Sequence, residues 1–129
     1  GALYIKDSNP VGHNIAFGNN TKERDSDDSS GYQVVFEDSQ AALINSIFWG
    51  DEACGESISP ILELGEYGND ISFSNIKCGW NGTGTGNIEY DPMFNNDYTL
   101  MQGSLSIDAG DSLVWFNDDV DDRNDQGAL

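Results

Sequence analysis

The chain has no long apolar run and no helical pattern. No stretch approaches the ~18 apolar residues that a membrane helix needs. No segment keeps apolar residues at the i, i+3, i+4, i+7 spacing of an amphipathic helix over several turns. Proline is scarce, with 3 residues, whereas glycine is plentiful, with 15. We therefore expect no membrane insertion, and no helix longer than a short cap.

Positive charge is also scarce. The 129 residues include 5 Lys plus Arg against 23 Asp plus Glu, which gives a formal net charge of −18 at pH 7. Such a surface repels the phosphate groups of nucleic acids and of anionic lipids. The composition therefore argues against nucleic acid as a partner. It leaves bound divalent cations, a salty exterior or simple solubility as reasons for the acidity.

Cysteine occurs only at Cys54 and Cys78, which are 24 positions apart. This spacing matches no metal-ligand motif. In an oxidising compartment the two residues could form one disulfide, worth about 3 kcal/mol by loop-closure entropy. Otherwise they would be two buried free thiols. The sequence leaves both states open.

Short runs rich in β-branched and aromatic residues alternate with polar turns, which predicts an all-β fold. The runs in the first part of the chain return at a fixed distance of 31 residues. A repeat of this length indicates units that cannot bury their own apolar faces and must stack on copies of themselves. The matched pairs are Leu3 with Val34, Ile5 with Phe36, Asp7 with Asp38, Ser8 with Ser39, Asn14 with Asn45, and Phe17 with Phe48.

A third copy follows at a slightly shorter distance. Because strand residues two positions apart point to the same side, the repeat predicts columns of stacked interior residues. We also expect Asn14 over Asn45 to form a short asparagine ladder at a turn. The predicted interior columns are Leu3, Val34 and Leu62, and Ile5, Phe36 and Leu64. Further along, Ile44, Ser46 and Ile47 match Phe73, Asn75 and Ile76.

Several segments match a known pattern. Two segments fit a coil pattern of the form "GGxYxxxSNPxIxNCxFxGN". They are "GALYIKDSNPVGHNIAFGNN" and "ALINSIFWGD". "ISFSNIKCGWNGTGTGNIEYDPMFNNDYTLMQGSLSIDAGDS" is similar to the closing segment that accompanies such coils, and "DDVDDRNDQGAL" to its usual ending. The chain thus resembles right-handed parallel β-helix proteins of the pectate-lyase-like superfamily, especially large secreted ones. The resemblance implies an extracellular or cell-surface location. It does not choose among lyases, hydrolases, adhesins and surface spacers.

The acidic C-terminal part is the candidate metal site. Calcium takes six to eight hard oxygen ligands, and carboxylates two positions apart on an irregular loop can converge on one ion. Without a cation, so many carboxylates would repel each other. We expect calcium there, with a solvated acidic turn as the alternative. The candidate ligands are Asp108, Asp111, Asn117, Asp119, Asp121 and Asp125.

Trp49 is the candidate carbohydrate contact, because it falls on the strand face opposite Phe48 and should point outward.

The sequence contains few patterns that are typical of a catalytic site. The predicted strands carry single acids rather than clusters, and His13 has no nucleophile at matching positions. The glycine-rich stretch 79–89 lacks the lysine and the following helix of a phosphate-binding loop, so we interpret it as a turn.

Together these patterns predict an all-β, right-handed parallel β-helix in one domain. Its coils span residues 1–90, and a capping segment over residues 91–129 covers the C-terminal end. The first strand has no cap, so we expect upstream coils, another domain or a second copy to cover the first coil.

The leading functional hypothesis is a non-catalytic extracellular or cell-surface module, structural or adhesive. A polysaccharide or a cell-surface component is its candidate partner. The alternative is a fragment of a carbohydrate-active enzyme, either a polysaccharide lyase or a glycoside hydrolase.

Overall fold

The computed structural model describes residues 2–18, 32–50, 54, 59–65 and 68–111 of the chain. These residues form short strands joined by turns, without helix. The all-β prediction is therefore confirmed for this part of the chain. The strands are β1 (Leu3–Lys6), β2 (Val11–His13), β3 (Ala16–Gly18), β4 (Val34–Glu37), β5 (Ala42–Ile44), β6 (Ile47–Trp49), β7 (Ile61–Leu64), β8 (Asp70–Ser72) and β9 (Asn75–Ile76).

The strands form three parallel sheets, each with three strands. The first sheet has the order β1-β4-β7, the second β2-β5-β8 and the third β3-β6-β9. Three consecutive strands therefore make one rung, and each rung lies beside the next with every strand paired to its counterpart. Leu3 pairs with Val34 and Phe17 with Phe48, which confirms the predicted match between the first two rungs. The arrangement is compatible with a β-helical solenoid.

The core lies between the sheets because side chains alternate along each strand. In β4 the alternating pattern is clean, with Val34 and Phe36 buried and their neighbours partly exposed. The rings of Phe17 and Phe48 stack, with centroids 5.3 Å apart. The residues of the core cluster are Ile5, Phe17, Val34, Phe36, Ala41, Leu43, Phe48, Ile61, Ile71 and Ile76.

Two corners of every rung turn through a residue with positive φ. Asparagine, aspartate and glycine tolerate this left-handed conformation best, and the repeat places them there in five of six positions. The exception is Phe73. The first corner holds Asp7 (49°), Asp38 (48°) and Gly65 (79°), and the second holds Asn14 (55°), Asn45 (52°) and Phe73 (50°).

A ladder of polar side chains follows the second corner. The backbone N–H of Ile15 donates to Ser46 Oγ at 3.3 Å, and that of Ser46 donates to Ser74 Oγ at 3.0 Å. The N–H of Ser74 then donates to Asn87 Oδ1 at 2.9 Å. Each side chain satisfies a backbone donor of the preceding rung, where the turn interrupts strand pairing. These bonds hold the rungs together at their corners.

The register between β4 and β7 differs from the sequence expectation by one residue. The partners are Val34 with Ile61, Val35 with Leu62, Phe36 with Glu63, and Glu37 with Leu64. The predicted interior positions of Leu62 and Leu64 are therefore wrong. Ile61 is buried, whereas Leu64 is 41% exposed.

The sequence of β7 explains this shift. The strand reads Ile-Leu-Glu-Leu, so it offers apolar residues to both faces and its pattern does not select a register. The carbonyl of Pro60 accepts the N–H groups of Gln33 and Val34, at 2.7 and 3.1 Å. Glu63 then takes the interior position beside Phe36, where Asn69 Nδ2 donates to its carboxylate at 2.7 Å.

The same one-residue shift occurs in the other two sheets. Ile44 pairs with Ser72 and Ile47 with Asn75, so the predicted matches with Phe73 and Ile76 are wrong. Phe73 instead occupies the left-handed corner below Asn45. The distance is 28 residues in these two sheets, where 29 was expected, and 27 in the first sheet, where 28 was expected.

Part of the glycine-rich stretch continues the stacking. Thr83 bridges to Asp70 and Ile88 bridges to Asn75, both in parallel. The N–H of Ile76 donates to Ile88 O, and the N–H of Ile88 donates to Ser74 O, each at 2.9 Å. Residues 83–88 therefore form a partial fourth rung on the second and third sheets. The interpretation of this stretch as only a turn was incomplete.

The segment that follows lies along the side of the third sheet. Asn75 Nδ2 donates to Tyr90 O and to Ser106 Oγ, each at 2.7 Å. At the other end of the sheet, the Phe94 ring lies 3.2 Å from where a Cβ on Gly18 would stand. The described part of the predicted cap, residues 91–111, thus lies against part of the outer face of β3-β6-β9, at Asn75 and Gly18. We name it the closing segment; residues 112–129 lie outside the described part.

Candidate functional site

A polar cluster stands on the outer face of the first sheet. Tyr4 and Lys6 alternate outward on β1, and the register places Lys6 beside Glu37 on β4. Tyr4 Oη and Lys6 Nζ both donate to the Glu37 carboxylate, one to each oxygen. We call these three residues the Tyr4 cluster. It is a preorganised carboxylate flanked by an aromatic ring and an ammonium group.

The charges in this cluster stabilise one another. The hydrogen bond from Lys6, followed by that from Tyr4, lowers the pKa of Glu37. The hydrogen bond to Glu37 raises the pKa of Lys6, and it also raises the pKa of the Tyr4 hydroxyl. At neutral pH the cluster therefore holds a carboxylate, an ammonium group and a neutral phenol, which is a hydrogen-bonding array without net charge.

Apolar side chains surround the Tyr4 cluster. Val35 and Leu62 continue the column of Tyr4 across the sheet, and Leu64 continues the column of Lys6 and Glu37. Tyr4 is 56% exposed. This face therefore combines an accessible aromatic ring with a fixed carboxylate, features that suit the apolar faces and the hydroxyls of a sugar.

Trp49 lies at the end of β6 and is half-buried, next to the fully buried Phe48. The ammonium of Lys77 lies 5.8 Å from the centroid of its ring and donates to Gly50 O at 2.5 Å. Lys77 therefore makes a cation–π contact with the indole.

Two of the six candidate metal ligands lie in the described part of the chain, and four lie outside it. Asp108 is exposed and has a positive φ of 57°. Asp111 is half-buried, and its backbone N–H donates to Asn45 Oδ1 at 2.7 Å. Within the described residues no group of three His, Cys, Asp or Glu side chains could hold a metal ion. The other four candidates, Asn117, Asp119, Asp121 and Asp125, lie outside the described residues.

Cys54 and Cys78 form a disulfide with a Cα–Cα distance of 5.2 Å. Of the two states that the sequence left open, the structure has the bonded one. Cys78 lies two residues after the end of β9, the last strand of the third rung, so the bridge links this rung to the connection between the second and third rungs.

The Tyr4 cluster was not predicted from the sequence, although the repeat contains its signal. The 31-residue distance that aligns Ile5 with Phe36 also places Lys6 beside Glu37. Opposite charges at matching outward positions of adjacent parallel strands indicate a cross-strand ion pair. The asparagine ladder, by contrast, differs from expectation. Asn14 and Asn45 share the same corner, but the Asn45 side chain bonds Asp111 rather than a neighbouring rung.

None of the described residues forms a helix long and apolar enough to cross a membrane. Comparison of the chain with models of protein families, with curated proteins and with solved structures finds no match.

Proposed function

We propose that the chain is a right-handed parallel β-helix of the pectate-lyase-like kind and acts as a non-catalytic extracellular or cell-surface module. The observation that supports this most directly is the rung-by-rung parallel pairing of all three sheets. The disulfide is consistent with an oxidising, extracellular setting. Such a module would hold other parts of a surface protein apart or contact an external polymer.

Polysaccharide is the proposed partner of the outer face of the first sheet. This face displays the Tyr4 cluster, whereas the closing segment lies against part of the third sheet, at Asn75 and Gly18. Sugars offer hydroxyls to a fixed carboxylate and apolar C–H groups to an aromatic ring. Trp49 is the second proposed contact, through the part of its indole that Lys77 leaves open.

The first rung is a second proposed contact surface. Strands β1, β2 and β3 are each the outermost strand of their sheet among the described residues. Outermost strands present unpaired backbone groups that natural proteins usually cover. Upstream coils, another domain or a second copy of the chain would provide that cover.

The test of polysaccharide contact is a binding screen on immobilised neutral and acidic glycans with the unmodified chain, Tyr4→Ala, Trp49→Ala and Tyr90→Ala. We expect a roughly tenfold loss of affinity for Tyr4→Ala, because losing one aromatic contact of ~1.4 kcal/mol changes affinity by that factor. Tyr90 is the matched control, since it is 55% exposed and lies beside β9 of the third sheet, away from the Tyr4 cluster. Equal binding by all four proteins, or no binding by any of them, would contradict the proposal.

The same proteins also test the alternative that the chain is a fragment of a carbohydrate-active enzyme. Polysaccharides that bind are incubated with the protein and their chain length is followed. Shortening that is abolished by Glu63→Gln or Asp38→Asn would identify a carbohydrate-active enzyme and displace the module hypothesis.

Calcium at the acidic C-terminal part is a separate proposal. A thermal melt in excess calcium and again in chelator, beside an Asp119→Ala, Asp121→Ala variant, tests it. Ligand that binds only the folded state raises the melting temperature. We expect a calcium-dependent rise that the variant loses. No rise in the unmodified chain would make these carboxylates a solvated acidic turn.

A further inference from the structure

Asn45 occupies an unusual position at the second corner of the middle rung. Its backbone is in the left-handed conformation, and the residue is only 4% exposed. The equivalent Asn14 in the first rung has the same conformation but is exposed. The difference arises because the closing segment passes over Asn45, where the backbone N–H of Asp111 donates to Asn45 Oδ1 at 2.7 Å.

This hydrogen bond fixes the orientation of the Asn45 amide. A backbone N–H can only donate, so the side-chain atom facing Asp111 must be the oxygen. A flipped amide would place two donors against each other. Nδ2 must therefore point away from Asp111, and it finds no hydrogen-bond acceptor among the described residues. Buried polar groups of folded proteins nearly always have a partner, often a water molecule.

A small cavity adjoins this amide. The space open to the centre of a water-sized sphere is about 10 Å³, close to the minimum that one water molecule requires. Its wall is partly polar and carries no charged side chain. The lining residues are Asn45, Ser46, Ile47, Phe73, Asn75, Ile88, Ser106 and Ala109.

We propose that this cavity is a binding site for one internal water molecule, which accepts a hydrogen bond from Asn45 Nδ2. Ser106 provides a second polar partner, since its hydroxyl accepts from Asn75 Nδ2 and keeps its own hydrogen for donation. A cation does not fit, because Nδ2 presents a positive end and no carboxylate lines the space.

The water would join the middle rung to the closing segment. Asn45 lies on the corner, and both Ser106 and Ala109 belong to the closing segment. One molecule would thus satisfy Nδ2 and keep Oδ1 turned toward Asp111. The attachment of the closing segment would then depend on a bridged contact as well as on direct ones.

Two measurements test the site. The first is a crystal structure of the unmodified chain at about 1.5 Å resolution, in which an ordered water should lie within hydrogen-bond distance of Asn45 Nδ2. The second counts long-lived internal waters in solution by magnetic relaxation dispersion of water oxygen-17. There we compare the unmodified chain with Asn45→Gly and Asn14→Gly.

Glycine accepts the left-handed backbone at both corners, so both variants should fold. We expect Asn45→Gly to lose one long-lived water, while Asn14→Gly keeps the count of the unmodified chain. An unchanged count in Asn45→Gly would overturn the proposal. So would electron density in which Nδ2 donates to a protein oxygen, including one from residues 112–129.

Discussion

At the scale of single residues, the turns of this chain depend on backbone conformations that few residue types adopt. Gly84 is the clearest case, with φ of 140° in the partial fourth rung. A Cβ added there would stand 1.9 Å from the carbonyl oxygen of Ile71. Because that oxygen belongs to the backbone of a buried strand, it cannot move aside as a side chain would.

Gly84→Ala should therefore destabilise the protein by about 3 kcal/mol or more, since it combines backbone strain with a steric clash. Gly103→Ala is the matched control, because Gly103 also has a positive φ, of 94°, but has nothing within 4 Å of an added Cβ. We expect the control to cost only about 1 kcal/mol. Urea denaturation measures the loss of stability in both variants. Equal losses would show that a Cβ at position 84 does not clash with the Ile71 backbone.

The Tyr4 cluster gives a prediction about pH. The pKa of Glu37 is lowered in the folded state, chiefly by the hydrogen bond from Lys6. A lowered carboxyl pKa contributes stability that is present above the unfolded pKa and is lost as pH falls through the folded one. Because the group is exposed to solvent, we expect the contribution to be small.

Carbon-13 NMR titration of the Glu37 carboxyl group tests this directly. Lys6→Met should raise the Glu37 pKa toward its ordinary value, and by more than Tyr4→Phe does, because the hydrogen bond from Lys6 is the larger cause. Asp97, whose pKa is lowered chiefly by the hydrogen bond from the Thr99 side chain, is the internal control and should titrate alike in all three proteins. A larger effect from Tyr4→Phe would reverse the assigned order of causes.

At the scale of elements, the closing segment packs against the third sheet at a position that carries no side chain. Gly18 ends β3, and the Phe94 ring fills the space over it. Phe94 also pairs with Leu100 in an antiparallel bridge, which folds this part of the closing segment into a small hairpin. A side chain at position 18 would compete with the ring for the same space.

Gly18→Val should loosen the hairpin without unfolding the rungs. The added Cβ would stand 3.2 Å from the Phe94 ring, so the ring has to move. We expect the Met101 amide, which donates to Met93 O, to exchange its hydrogen faster. Ala16→Val is the matched control, because Ala16 lies on the same strand and is exposed. Equal exchange rates in the two variants would contradict the role of the Gly18 gap.

At the scale of the whole molecule, the disulfide is a covalent cross-link between the third rung and the connection that precedes it. It closes a loop with a sequence separation of 24 residues. A constraint of this length stabilises the folded state by about 3 kcal/mol, because it removes conformations from the unfolded chain.

Reduction should therefore lower the melting temperature of the unmodified chain, by roughly 10 °C for a domain of this size. The Cys54→Ser, Cys78→Ser double variant should melt at the lower temperature with or without reductant. A reductant-independent melt of the unmodified chain would mean that the two thiols are not bonded in solution.

The repeat made most of the architecture predictable. A distance of 31 residues located the strands of the first two rungs and gave their register correctly. It failed at the third rung, where β7 carries apolar residues on both faces and the pattern allows two registers. The partial fourth rung was missed because residues 83–88 return at a much shorter distance and carry few apolar side chains.

The candidate site was less predictable. The repeat predicts that Lys6 lies beside Glu37. It does not predict that the Tyr4 hydroxyl donates to the same carboxylate, because that bond depends on the side-chain positions in the folded protein. The Lys77 contact with Trp49 is also tertiary, because it depends on the turn that follows β9. The alternation along the strand predicted which face Trp49 occupies, but it could not predict which side chain packs on the indole.

Sequence patterns were enough to specify the strand class, the stacking of units and the left-handed corners, because these depend on local alternation, a fixed repeat and the few residue types that tolerate positive φ. The folded chain was needed to establish the register of the third rung, the bonded state of Cys54 and Cys78, and the path of the closing segment. These features depend on which surfaces meet across large sequence separations. Such contacts are chosen by packing and hydrogen bonding in the assembled fold rather than by any local pattern.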